Sequence, residues 1–409
     1  KASFPPLGLL TVAAMLPSSD WVKRLVDVNV TQLTDQDLAW ADYVFVGSMV
    51  IQRKSARLLI ERCKNAGVKV VAGGPLFTSE YKQFEDVDHF ILNEAELTLP
   101  DFLEDLKNGC AKRVYTTTQF PDIRATPVPQ WDLVDMRRYA SLSVQYSRGC
   151  PYQCEFCDVT ALFGRRTRTK TAEQIIEELN SFYDLGWRGS VFFVDDNLIG
   201  NKKALKNELL PALIRWQKEH DSLPFHTEVS INLADDEPLM NMMADAGFDA
   251  VFVGIETPDT DSLVECGKKQ NNNRELVEDV KRIQRAGLQV QAGFIVGFDS
   301  DTPSIFQRQI DFIQKSGVVM AMIGLLQAPY GTKLYERLKK EGRLLGRMSG
   351  DNVDGTTNII PNNNMDIDTY KKGYKSILSY IYSPENYYQR VKTFLREYKA
   401  PKIKVKIDL

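Results

Sequence analysis

The chain of 409 residues is 43% apolar and 26% charged, the composition of an ordinary folded protein with room for two or three domains. Its 51 basic and 54 acidic residues leave a net charge of −3, which gives no electrostatic footprint for nucleic acid. No apolar run is long enough to span a membrane and no signal peptide is visible; six cysteines, three of them clustered, make no disulfide framework and fit a reducing cytoplasm.

The first residues, "KASFPPLGLLTVAAMLP", read as the middle of a domain whose first strand and loop lie upstream. Residues 1–115 then alternate helix-like and strand-like segments: helical "LGLLTVAAML", β-like "VKRLVDVNV" and "ADYVFVGSMV", a helix from Lys54 to Ala66, "VKVVAGGP", "VDHFILNEAE" and helical "TLPDFLEDLKNG". Short apolar runs separated by helices predict a parallel, doubly wound, Rossmann-like α/β sheet. Ligands of such sheets bind beyond the strands' carboxyl ends. Those ends carry Gly47-Ser48-Met49, Gly73-Gly74-Pro75 and Asn93-Glu94-Ala95-Glu96. Residues 116–142 hold three prolines and little periodicity, which predicts an extended linker.

From 143 to 335 strand and helix alternate again, with strands expected at 143–148, 190–195, 225–231, 250–255, 289–296 and 321–327. Six βα units predict a partial (β/α)6 barrel with its chemistry at the strands' carboxyl ends. After the first strand comes Cys150-Pro-Tyr-Gln-Cys154-Glu-Phe-Cys157. A short loop can turn three such thiolates toward one point, as an iron–sulfur cluster needs, leaving a fourth iron open to a non-protein ligand. Structural zinc would want a fourth ligand, and no second cysteine pair exists. The second strand ends in Asp195-Asp196-Asn197, and two carboxylates on a dry strand are costly unless something cationic meets them. On the third, Glu228, Ser230 and Asn232 alternate onto one face with His226, which reads as a core histidine or a proton-transfer residue. Arg165, Arg166 and Arg168 read as a solvated basic loop. Residues 336–409 turn helical, at 367–381 and 386–398, with tyrosines 370, 374, 380, 382, 387 and 388 expected to pack as a lid. The basic tail 399–406 reads as a solvated end.

The CxxxCxxC spacing, with Phe156 before the last cysteine, resembles the signature of the radical S-adenosylmethionine (SAM) superfamily. The resemblance implies a [4Fe-4S] cluster on Cys150, Cys154 and Cys157 whose open iron chelates SAM. It places Phe156, Asp195, Asp196, Asn197, Glu228, Ser230, Asn232, Glu256, Gly293, Gly297 and Gln327 around SAM, with the two glycines approaching the adenine. Residues 1–115 resemble the cobalamin-binding domain in front of one class of these enzymes. That implies a cobalamin pocket at Ser48, Met49, Gly73, Gly74, Pro75 and Glu94. The cobalt-ligating DxHxxG motif would lie upstream of residue 1, and His89 reads as structural. The connector Pro127-Val-Pro129-Gln-Trp131-Asp132 and the C-terminal "GDN" and "TNIIP" resemble the same class.

The family resemblance implies a cobalamin-dependent radical SAM methyltransferase acting at an unactivated sp3 carbon, cytoplasmic, oxygen-sensitive and fed by a ferredoxin- or flavodoxin-type donor. Its cofactors supply the chemistry: a 5′-deoxyadenosyl radical takes a substrate hydrogen, methylcobalamin gives the methyl group and a second SAM restores it. No side chain is assigned as a catalytic acid or base. The substrate expectation leans to a peptide or protein carbon, with the glutamine α-carbon of methyl-coenzyme M reductase as a specific case. Against it stand a hopanoid, lipid or natural-product methylase, a non-methylating radical SAM cyclase or oxidase, and a non-catalytic corrinoid or iron–sulfur binding protein.

Overall fold

The computed structural model describes residues 1–362 and 365–400, so most of the basic tail lies outside the described residues. The chain divides into two compact units, one of residues 1–144 and 168–189, the other of 145–167 and 190–409.

In the first unit four parallel strands, β1 (Tyr43–Gly47), β2 (Lys69–Gly73), β3 (His89–Ile91) and β4 (Val114–Tyr115), pair in chain order. Alternate residues of each strand feed two cores, as a period of two requires. Val46, Val70, Ala72 and Phe90 pack with Ala56, Ile60 and Cys63 of helix α2 (Arg53–Asn65). Val71, Ile91 and Tyr115 pack on the other face, with helix α1 (Leu7–Met15) and with Leu99 and Phe102 of α3 (Ala95–Lys107). Helices on both faces agree with the predicted α/β layering, but the described strands contain no reversal of order and so no switch-point crevice.

Two expectations need correction here. "VKRLVDVNV" is not a strand: Val22 is 84% exposed, and buried Asp27 instead closes a turn, accepting from the backbone of Asn29 (2.9 Å) and from the Tyr139 hydroxyl (2.9 Å). The 116–142 segment is not a free linker. It makes short 3-10 turns, and Trp131 is buried against Phe182 at 5.4 Å between ring centroids.

In the second unit five strands run parallel in chain order: β5 (Ser190–Phe193), β6 (Phe225–Val229), β7 (Phe248–Glu256), β8 (Gln289–Val296) and β9 (Ala321–Leu325). Each is followed by helix, as successive βα units demand. The expected strand 143–148 is interrupted, with strand only at Ser141–Val144 and Ser147–Arg148. The break has a cause: the N–H groups of Tyr146 and Ser147 donate to the Asp195 carboxylate. The predicted C-terminal helices appear as α4 (Ile367–Ile381) and α5 (Pro384–Glu397). Their tyrosines do not act as one lid. Tyr370 donates to the Phe298 carbonyl, Tyr374 to that of Val353 and Tyr382 to that of Ala321, whereas Tyr380 and Tyr388 are exposed. Among the described residues no helix is long and apolar enough to cross a membrane.

Candidate active site

The cysteine loop leaves the sheet at Gly149, whose φ of +92° and tight surroundings exclude a side chain: an added Cβ would lie 2.6 Å from the Arg166 carbonyl. Cys150 N then donates to the Gly164 carbonyl, and Glu155 N to that of Cys266 (2.8 Å). Cys150, Cys154 and Cys157 are free, partly buried thiols. Burial raises the pKa of all three; nearby Cys154 raises it further for Cys150 and Cys157, and Glu256 does so for Cys154 against the pull of Lys268. Such thiols stay protonated until a metal takes the proton's place. No three His, Cys, Asp or Glu groups among the described residues converge on a single-ion site. A set of three thiols is the donor chemistry that suits a cluster, whose thiolates bind separate irons.

Carboxylates face these thiols from the strand ends. Asp195, fully buried, is spent on the Tyr146 and Ser147 N–H groups, so it braces the start of the cysteine loop instead of presenting a free carboxylate to a ligand. Asp196 is the member of the pair left to meet a cation. Burial first, and then Asp158 beside Cys157, pushes its pKa up to about 6. Glu228 is pushed up to about 7 by burial and by the charges of Asp196 and Glu256, against the pull of Lys268. Asn197 Oδ1 accepts from Ser230 N (3.1 Å) and its hydroxyl (3.3 Å), Ser230 Oγ reaches Asn232 Oδ1 at 2.6 Å, and the Asn197 side chain bonds Cys150. Asp196, Asn197, Glu228, Ser230 and Asn232 thus come together near the thiols. His226 stacks on Phe192 (4.9 Å), and burial lowers its pKa to about 4, so it is neutral at pH 7.

The sequence reading missed three neighbours of this group. Lys268 forms a buried ion pair with Glu256, itself at φ +64° on the β7 bulge, and its charge acts on Cys154 and Cys157. Gln270 Nε2 lies 3.8 Å from Cys154 Sγ, and Asn271 Nδ2 donates to the carbonyls of Gly254 and Ile255 (both 3.0 Å). The buried Oδ1 of Asn271 and Oε1 of Gln270 have no partner among the described residues. The polar run Gly267-Lys268-Lys269-Gln270-Asn271, between two helices, was the available signal.

At the other expected ligand positions the structure shows contacts within the protein. Beside Gly293 a Cβ would meet the Phe252 ring at 3.0 Å, and beside Gly297 it would meet Leu326 at 3.3 Å, so both serve packing. Gln327 donates to the Asp351 carbonyl (2.7 Å), and Phe156 packs on Phe298 (6.2 Å). In the first unit, Gly73 is required because a Cβ would sit 2.8 Å from the Ile91 carbonyl, and Gly74 (φ +92°) approaches the Ser48 backbone. Ser48 accepts from Leu76 N, Pro75 opens a helix, and Met49 is 61% exposed. Glu94 is not an open contact. Arg168 grips it through two bonds of 2.8 and 3.0 Å, which also removes Arg168 from the solvated basic loop. His89 bonds the Lys112 carbonyl at 2.7 Å and packs on Phe102, a structural position.

Residues 144–313 match the radical SAM superfamily, and 332–408 match a domain of unknown function, DUF4070. An uncharacterized methyltransferase of Synechocystis is 42% identical over 100% of this chain and 76% of its own length. The hopanoid C-2 methylase of Rhodopseudomonas palustris is 37% identical over 94% of this chain and 72% of its own. Among solved structures, the radical SAM methyltransferase TsrM of Kitasatospora setae has a TM-score of 0.63 at 17% identity, covering 75% of this chain and 67% of that one. The cobalamin-dependent SAM radical enzyme OxsB has a TM-score of 0.64 at 18% identity, covering 83% and 53%. The chain belongs to the family of radical SAM methyltransferases that includes the hopanoid C-2 methylase, built on the fold of the cobalamin-dependent radical SAM enzymes.

Proposed function

We propose that this protein is a cobalamin-dependent radical SAM C-methyltransferase whose substrate is an sp3 carbon of an apolar polycyclic lipid. The observation that carries the chemistry is the convergence of three burial-raised thiols with Asp196, Asn197, Glu228 and the Glu256–Lys268 pair. Cys150, Cys154 and Cys157 would hold the [4Fe-4S] cluster that the superfamily implies. Cluster, SAM and cobalamin together would supply the radical and the methyl group. The chain's own part is to bind and orient. Asp196 and Glu228, whose described surroundings give them no ion-pair partner, suit the cationic groups of SAM, and the Asn197–Ser230–Asn232 chain suits its hydroxyls.

For cobalamin, the small and positive-φ residues at the ends of β1 and β2, with exposed Met49 and Ile51 beside them, leave backbone and apolar surface to meet a corrin. With Glu94 engaged elsewhere, the remaining pocket residues would be Ser48, Met49, Gly73, Gly74 and Pro75. The substrate class is supported by the relative named for hopanoid methylation, whereas nothing in the site favours the peptide carbon expected from sequence. An external one-electron donor completes the proposal.

The test is anaerobic reconstitution with iron, sulfide and hydroxocobalamin, then incubation with SAM, a reductant and a hopanoid. The expected outcome is a methylated hopanoid with both S-adenosylhomocysteine and 5′-deoxyadenosine. Formation of 5′-deoxyadenosine without S-adenosylhomocysteine would replace methyl transfer with a non-methylating reaction.

A further inference from the structure

The region matched as a domain of unknown function begins with a helix, Lys333–Lys340, that lies against the cysteine loop. We propose that Arg337 on this helix is a positioning residue that fixes the cysteine loop through Glu155. The inference deepens the functional reading and rests on its assignment of a cluster to this loop. Glu155 stands between the second and third thiol positions. Arg337 meets it with Nε at 2.6 Å from Oε1 and Nη2 at 3.3 Å from Oε2. Its Nη1 reaches Asp299 Oδ2 at 3.0 Å, just beyond β8.

The contact belongs to a closed ring. Asp299 N and Ser300 N donate to Glu265 (3.0 and 2.8 Å), Glu265 precedes Cys266, and the Cys266 carbonyl accepts Glu155 N (2.8 Å). Leu334 N adds a bond to the Glu155 carbonyl (3.0 Å), and Lys333 Nζ reaches Gln153 Oε1 (3.0 Å). Under the ring, Leu334 and Leu338 pack with Cys266, Phe298 and Phe156. A two-pronged, half-buried pair within a network is a geometric constraint, unlike an isolated surface ion pair. Residues 154 and 157 flank this anchor, so releasing it loosens the spacing of two ligands. Residues that orient metal ligands from outside commonly govern metal retention.

The test uses the full chain reconstituted anaerobically with iron and sulfide. Wild type, Arg337→Met, Arg337→Lys, Glu155→Gln and the control Arg308→Met are compared by iron loss to a chelator and by urea midpoint. The control breaks the Arg308–Asp259 pair (2.5 Å), neither partner of which bonds the cysteine loop or Arg337. Expected are iron losses roughly tenfold faster or more in Arg337→Met and Glu155→Gln, faster loss in Arg337→Lys, which keeps the charge without the fork, and wild-type loss in the control. If Arg337→Met does not fold, Arg337→Lys and Glu155→Gln decide. Wild-type iron retention in those variants, or equal loss in the control, overturns the role. A wild type that takes up no iron overturns the cluster assignment itself, and this inference with it.

Discussion

Lys268 Nζ meets Glu256 Oε1 in the space where a side chain at position 254 would stand. A Cβ on Gly254 would lie 2.4 Å from that carboxylate oxygen and 2.5 Å from the ammonium nitrogen. The glycine therefore admits a buried ion pair beside Cys154, at a bulge where Glu256 already holds a left-handed backbone. Removing one partner of such a pair strands the other charge, at a cost of about 3–5 kcal/mol. Lys268→Met is thus expected to lower the urea-derived stability by that order. Gly254→Ala should cost about 1–3 kcal/mol by overpacking. Equal urea midpoints for wild type and Lys268→Met would show that the pair is not closed in solution.

The strand-end carboxyls give the protein a pH signature. Asp195 and Glu228 are pushed up to about 7, and Asp196 to about 6, in each case chiefly by burial. A carboxyl with a raised folded-state pKa favours the folded state most below its unfolded value near 4, and that contribution is lost as pH rises to the folded value. Stability of the ligand-free protein should therefore fall between pH 4.5 and 7 and level off above. Urea titrations across this range check the slope, and Glu228→Gln should flatten it.

The Arg168–Glu94 fork makes a separate prediction in the first unit. Glu94 is buried, and Arg168 supplies both of its charged bonds and also donates to the Pro121 carbonyl (2.8 Å). Arg168→Met is expected to destabilise by about 3 kcal/mol, and Glu94→Gln by less, since the charge it strands, on Arg168, is the more exposed of the two and keeps an amide oxygen and the Pro121 carbonyl as acceptors. If cobalamin retention after desalting drops in Glu94→Gln while the urea midpoint stays unchanged, Glu94 contacts the corrin after all.

These cases show where the sequence was readable. The cysteine loop and the Asp195-Asp196-Asn197 run carry their chemistry within a few residues, and the βα alternation is a local period, so motif and fold class could be read directly. Lys268 and Arg337 act on Cys154 and Glu155 from loops and helices far along the chain, Arg337 at a separation of 182 residues. The pairing of Glu94 was hidden for the same reason, because the arginine that grips it lies 74 residues on. Asp195 and Asp196 are adjacent in sequence and look alike there. Only the strand geometry turns one toward backbone N–H groups and leaves the other facing the thiols.

That division between the two aspartates gives the last prediction. Asp195 accepts from two consecutive N–H groups, so Asp195→Asn replaces one accepting oxygen with a donor and sets it against a backbone N–H. An unmade buried bond of this kind costs about 1–3 kcal/mol, and it falls at the root of the cysteine loop. Asp196→Asn touches no such strut and removes a carboxyl that burial already holds partly protonated. Asp195→Asn should therefore lower both the urea midpoint and iron retention. Asp196→Asn should leave both near wild type and weaken SAM binding instead, measured by calorimetry on the anaerobically reconstituted protein. The reverse pattern would assign the strut to Asp196 and the ligand to Asp195, the roles that adjacency in the sequence could not separate.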